Sequence, residues 1–110
     1  MKLPNREQAF VPEQKLTDYL LSQTHPVGKA KAQFFRAVGF DETNVSELEQ
    51  ALLMVARTTE VSGAQQTPHG TKYIIEGDAE TPSGRLITLR TVWIIADESD
   101  RPRFVTAYPA

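Results

Sequence analysis

No stretch narrows the folds open to this chain more than Arg85-Leu-Ile-Thr-Leu-Arg-Thr-Val-Trp-Ile-Ile-Ala96, which contains neither Gly nor Pro. β-Branched and aromatic residues dominate it, so it reads as a strand rather than a helix. Side chains alternate along a strand, which puts Leu86, Thr88, Arg90, Val92 and Ile94 on one face. Ile87, Leu89, Thr91, Trp93 and Ile95 take the other. The second set is nearly all apolar and suits a core, whereas the first carries an arginine and a threonine and suits a face partly open to water. Residues 70–79 and 103–109 read as strands beside it. Thr81-Pro-Ser-Gly84 and Glu98-Ser-Asp-Arg-Pro102 supply the turns between them.

The first half reads as helical cover. Pro4 and the short run Ala9-Phe10-Val11, ended by Pro12, suit an extended segment or an edge strand. Pro12 can open a helix, and Leu16, Tyr19 and Leu20 then fall at helical spacing, which predicts a first helix over 12–22. Thr24-His25-Pro26 ends it. A second helix is expected over 27–38, with Ala30, Phe34, Phe35 and Val38 on one side and Gly39 as its cap. Asn44 and Glu47 have the form of a capping box, and Val45, Leu48, Leu52, Val55 and Ala56 continue an apolar stripe to about residue 58. Residues 60–70 read as a polar loop with a weak strand near Val61. The fold class expected is α+β: about three N-terminal helices packed on one face of a C-terminal antiparallel β-meander of three to four strands. A chain of 110 residues suits a single domain, 1–110, able to bury one core without staples.

Composition excludes several chemistries. The chain has no cysteine, which removes thiolate catalysis, iron–sulfur clusters and disulfide frameworks. Its two histidines lie far apart with no carboxylate at a metal-ligand interval, so no metal site is expected. Scattered carboxylates do not make a two-metal nuclease or a glycosidase pair, and no serine sits in a nucleophile elbow. There is no Gly-rich phosphate loop, and no cofactor is expected. A formal charge of −2 gives no global basic field, so contact with nucleic acid would need a local patch. No run is apolar enough for a bilayer and the N-terminus lacks the apolar core of a secretory signal, so a soluble, cytoplasmic protein is expected.

What remains is acid–base chemistry supported by cations. His25 sits before a helix start, with Lys29 and Lys31 within the next two turns, an arrangement able to bind phosphate and move a proton. Alternatively, His25-Pro26 is only a helix stop and the lysines a solvated face. Arg90, in the middle of the longest strand, either reaches water on the open face, where it could hold a phosphate, or pairs across the sheet with Glu76. His69, in Thr-Pro-His-Gly, reads as a loop-tip residue or a secondary substrate contact. Trp93 points into the core.

The ending Phe104-Val-Thr-Ala-Tyr-Pro109 resembles the closing strand of bacterial EndoU-type ribonuclease toxins and their relatives in the barnase, EndoU, colicin and RelE superfamily. Leu3-Pro-Asn5, Lys15-Leu-Thr-Asp-Tyr-Leu-Leu21 and His25-Pro-Val-Gly-Lys-Ala-Lys-Ala-Gln-Phe-Phe35 also resemble a small bacterial family of uncharacterised domains. The toxin resemblance implies a metal-independent endoribonuclease acting by 2′-hydroxyl transesterification on an RNA substrate, accompanied by an antitoxin or immunity protein. It implies Thr106 as a substrate-orienting hydroxyl and Tyr108 as the aromatic against base or ribose, and alternation puts both on one face with Phe104. His25 and Lys31 would then serve proton transfer and charge stabilisation, with Arg90 as phosphate clamp and Lys29 and His69 as substrate contacts. The closely placed histidine pair of EndoU enzymes is missing. The competing expectation is a non-enzymatic interaction module, an antitoxin, immunity or accessory protein docking through the open sheet face or an edge strand.

Overall fold

A computed structural model describes residues 1–26 and 28–110 of the chain. Its centre is an antiparallel sheet of four strands in the order β1-β2-β3-β4, with β1 at Gly63–Thr67, β2 at Gly70–Glu80, β3 at Leu86–Ala96 and β4 at Arg103–Pro109. The alternation of β3 is realised: Leu89, Thr91 and Trp93 are fully buried, while Leu86 and Thr88 on the other face are exposed. Trp93 meets Phe104 edge to face at 5.4 Å between ring centroids. Burying one such side chain contributes roughly 1.5–3 kcal/mol. The only polar side chain at this depth on the face, Thr91, is satisfied twice among the described residues: its hydroxyl donates to the Ile75 carbonyl and accepts from the Trp93 indole N–H, each at 2.9 Å.

The expected arrangement of helices is corrected. Helix α3, Val45–Thr58, packs against β2 and β3 and buries Leu48, Leu52, Leu53, Val55 and Ala56. The other helical segments close the same core through Leu16, Leu20 and Phe35, but not as two further α-helices. In place of a helix over 12–22, a single turn, α1 at Glu13–Lys15, runs into a wider π turn at Leu16–Leu20. Helix α2 covers Lys29–Ala37, and the segment from α1 to α2 lies against the outer strand β4, where its side chains reach residues of the opposite sheet face. Val27, expected in that helix, lies outside the described residues. The loop expected over 60–70 holds a full strand, β1, and the N-terminal stretch contributes a short 3-10 turn and two isolated bridges, Lys2 to Glu60 and Phe10 to Arg103, rather than a strand.

Local chemistry accounts for the helix ends. Gly39 takes a φ of 102°, and the next N–H, of Phe40, bonds back to the Phe35 carbonyl at 3.0 Å, closing α2. The capping box is not formed. Asn44 spends its side chain instead on the preceding loop, accepting from the Asp41 N–H at 2.8 Å and donating to the Gly39 carbonyl at 2.9 Å. Arg36 reaches from α2 to the Leu21 carbonyl at 2.8 Å and ties the helix to the end of the π turn.

Candidate functional site

One irregularity in the sheet decides what β4 presents. The pairing of β3 with β4 shifts between Val92 and Trp93, so Trp93 faces Phe104 while Val92 faces Thr106, leaving Val105 as the extra residue of a bulge. Residues opposite one another share a face. Phe104 therefore enters the core with Trp93, whereas Thr106 and Tyr108 emerge beside Val92 and Arg90 on the other face. The expectation that all three share a face is corrected by this single insertion.

Tyr19, from the π turn, closes over this emergent pair. Its hydroxyl lies 2.9 Å from the Thr106 hydroxyl. Cations gather around the two tyrosine rings: Lys15 Nζ is 4.9 Å from the Tyr19 centroid, and Lys31 Nζ lies 5.7 Å from Tyr19 and 5.9 Å from Tyr108. Arg90 Cζ stands 5.8 Å from the Tyr108 centroid. Each such contact is worth roughly 0.5–1 kcal/mol at an exposed site, so the rings hold the cations together without neutralising them. Arg90 also makes the cross-strand pair with Glu76, at 3.0 Å. Its guanidinium is held more firmly protonated than usual by the Tyr108 hydroxyl first and the Glu76 carboxylate second.

His25 packs edge to face on Tyr19, with centroids 5.2 Å apart, and its Nδ1 accepts the Gly28 N–H at 2.9 Å. A neutral imidazole accepting at Nδ1 carries its proton on Nε2. Beside it lies a cleft of about 570 Å³ lined by Lys15, Asp18, Tyr19, His25, Arg103 and Thr106 among others. The structure thus brings His25, Lys31, Arg90, Thr106 and Tyr108 into one continuous set of contacts, drawn from a loop, a helix and two strands.

Of the two residues expected as substrate contacts, Lys29 adjoins the site, its N–H bonded to the His25 carbonyl at 3.0 Å, while His69 stands apart. Lys29 is exposed at the start of α2, and His69 sits at the β1–β2 hairpin, where its carbonyl accepts from Asp97. The β1 edge is the far side of the sheet from β4. Conversely, Tyr19 and Lys15 belong to the cluster without a motif in the sequence that singles them out. Tyr19 reads as one more member of the Leu16–Leu20 apolar stripe, and only the lysine four positions before it offered a sign of a cation over its ring. Among the described residues, no group of three or more His, Cys, Asp or Glu side chains is placed to hold a metal ion, and no helix is long and apolar enough to cross a membrane.

Fold and site together define an α+β domain with a four-stranded antiparallel sheet and a cation–aromatic cluster at its β4 edge. The chain belongs to the family described as Domain of unknown function (DUF6883), which matches residues 2–110. No curated protein matches it in sequence. Among solved structures, it is similar to a chain of the contact-dependent growth inhibition toxin–immunity protein complex from Klebsiella pneumoniae 342. That similarity has a TM-score of 0.73 at 18% sequence identity, over 94% of this chain and 95% of that one. At this identity the likeness is one of fold, compatible with either side of such a complex.

Proposed function

We propose that the domain is the toxin side of such a pair, a metal-independent endoribonuclease whose site is the β4 cluster. The observation that carries this reading is the convergence of three cations, Lys15, Lys31 and Arg90, with His25 and the hydroxyls of Tyr19 and Thr106. A local positive patch on a mildly acidic chain is what a phosphodiester needs. Arg90 and Lys31 hold the non-bridging phosphate oxygens, and the Thr106 hydroxyl orients the ribose. Asp18, which lines the cleft with His25 and Thr106, takes the proton of the 2′-hydroxyl as that oxygen attacks phosphorus. The bond from phosphorus to the 5′-oxygen breaks, and His25 in its imidazolium form donates to the departing oxygen, having released the Gly28 N–H to accept its proton at Nδ1. The cognate partner of this reading is an immunity protein or antitoxin that covers the cluster.

The second reading, a non-enzymatic interaction module, draws support from the same atoms. Arg90 already has a carboxylate partner in Glu76, and His25 Nδ1 is engaged by the backbone. Incubating the purified protein with total RNA and a chelator separates the two. The ribonuclease reading expects cleavage that falls about 100-fold or more in His25→Ala and in Arg90→Ala, the range typical of losing a proton-transfer group or an oxyanion donor. Cleavage that is absent, or equal in all preparations, leaves the interaction module as the function.

A further inference from the structure

Strand β2 outruns its neighbour. β1 pairs with β2 from Thr67 opposite Gly70 to Gly63 opposite Ile74, yet β2 continues to Glu80. The Ile74 carbonyl points toward the β1 side, where it accepts the Ser62 N–H at 2.8 Å. Backbone groups alternate in direction along a strand, so Glu76, Asp78 and Glu80 aim theirs the same way, past the point where β1 has ended. Among the described residues, nothing bonds to those outward N–H and C=O groups. At Asp78 and Glu80 they open into a cleft of about 640 Å³ between β2 and the outer flank of α3, with Ala51, Met54 and Leu86 on its walls. Met54 and Leu86 are 60% and 63% exposed, unusual for large apolar side chains flanking one groove.

We propose that this free edge receives one β-strand of a partner protein, in line with β1, whose side chains alternate between basic and apolar. The sheet dictates that pattern. Positions opposite Asp78 and Glu80 share their face and meet carboxylates, which calls for Lys or Arg. The position opposite Ala79 turns to the other face, where an apolar side chain can lie against Ala51 and Met54, whereas Val55 and Thr59 already cover Gly77. A second copy of the chain is a poor occupant. Two-fold pairing of β2 with itself sets one row of carboxylates against the same row, which is repulsive. The surface is separate from the β4 cluster, and the proposal holds whether or not that cluster cleaves RNA.

The probe is a blocked, fluorescent Lys-Val-Lys-Val-Lys peptide, with Glu-Val-Glu-Val-Glu as control, followed by anisotropy and by amide hydrogen exchange. The expected result is saturable binding of the lysine peptide alone, with slowed exchange at Asp78 and Glu80. Asp78→Pro deletes an outward donor without touching the β3 ladder, and weakens binding by about tenfold or more, the loss of one hydrogen bond plus a charge. Should that variant unfold, Asp78→Lys replaces it and weakens binding of the lysine peptide, the carboxylates of Glu76 and Glu80 still disfavouring the glutamate one. Unchanged exchange at both amides under saturating peptide, equal binding of the two peptides, or sedimentation of the free protein as an edge-paired dimer overturns the proposal.

Discussion

The hydroxyls of Tyr19 and Thr106 meet at 2.9 Å across a separation of 87 positions in the chain, joining the π turn to the outermost strand. Every member of the candidate site touches one of these two residues or the ring of Tyr108 beside them. The bond is partly buried, and a neutral hydrogen bond there contributes about 0.5–1.5 kcal/mol. Tyr19→Phe is expected to lower stability by about that amount, read by urea denaturation, while keeping both cation contacts on the ring. Under the ribonuclease reading, cleavage persists in Tyr19→Phe and falls in Tyr19→Ala, which loses the ring. Equal activity in the two variants argues that the ring does not organise the cations.

The strands were legible because alternation survives in the residues themselves: Ile87, Leu89, Trp93 and Ile95 fall at even spacings, which a strand turns to one face. The pair Arg90–Glu76 was legible as an alternative for the same reason, since strand register puts opposite charges opposite each other. The bulge was not. Inserting Val105 leaves an apolar–polar rhythm that looks unbroken, and the consequence, Phe104 inside and Thr106 outside, depends on which β3 residue each one faces. The π turn was hidden by the same economy of signal, because Leu16 and Leu20 four positions apart are buried equally well by an α-helix or by a wider turn. The free edge of β2 arises only from the shortness of β1, whose Gly-Ala-Gln-Gln-Thr composition gives little hint of a strand.

Thr91 tests whether the polar link inside the core is structural. Its hydroxyl serves the Ile75 carbonyl and the Trp93 indole together, so Thr91→Val keeps the shape and orphans an indole N–H at zero exposure. Leaving such a group unsatisfied costs about 1–3 kcal/mol, and each kcal/mol is worth about 4–8 °C in the melting midpoint of a domain near this size. Thr91→Ser, which keeps both bonds, is expected to lose less. Calorimetry on the two variants checks the order, and a valine variant as stable as wild type refutes the role.

Acid stability should carry the mark of Asp41. Its carboxyl is held below the ordinary aspartate value of 3.8 by the Thr43 hydroxyl, then the Thr43 N–H, with Arg36 adding a smaller pull. The folded state therefore prefers the ionised form more than the unfolded chain does. Stability from this source is complete above the unfolded value and disappears as pH falls through the folded one. The difference in unfolding free energy between wild type and Asp41→Asn is expected to be constant near neutral pH and to shrink below about pH 4, followed by denaturation at a series of pH values. A difference that grows on acidification contradicts the assignment.

Gly28 couples the imidazole to the start of α2, and a methyl group there should disturb the site before it disturbs the core. The Gly28 N–H is given to His25 Nδ1 at 2.9 Å, and a Cβ built on Gly28 would strike the Tyr19 carbonyl oxygen and press on the Tyr19 ring at 3.1 Å. The carbonyl is backbone and cannot swing away, so Gly28→Ala has to push the first turn of α2 off the π turn, and Lys31 moves with it. Overpacking of this kind costs typically about 1–3 kcal/mol. Phe35 and Val38 remain anchored in the core, and Arg36 still reaches the Leu21 carbonyl, so the domain is expected to stay folded. The imidazole resonances of His25 should shift, and under the ribonuclease reading, activity should fall with them while the far-ultraviolet circular dichroism holds. Unshifted His25 resonances together with wild-type stability would show that Gly28 does not set the imidazole against Tyr19.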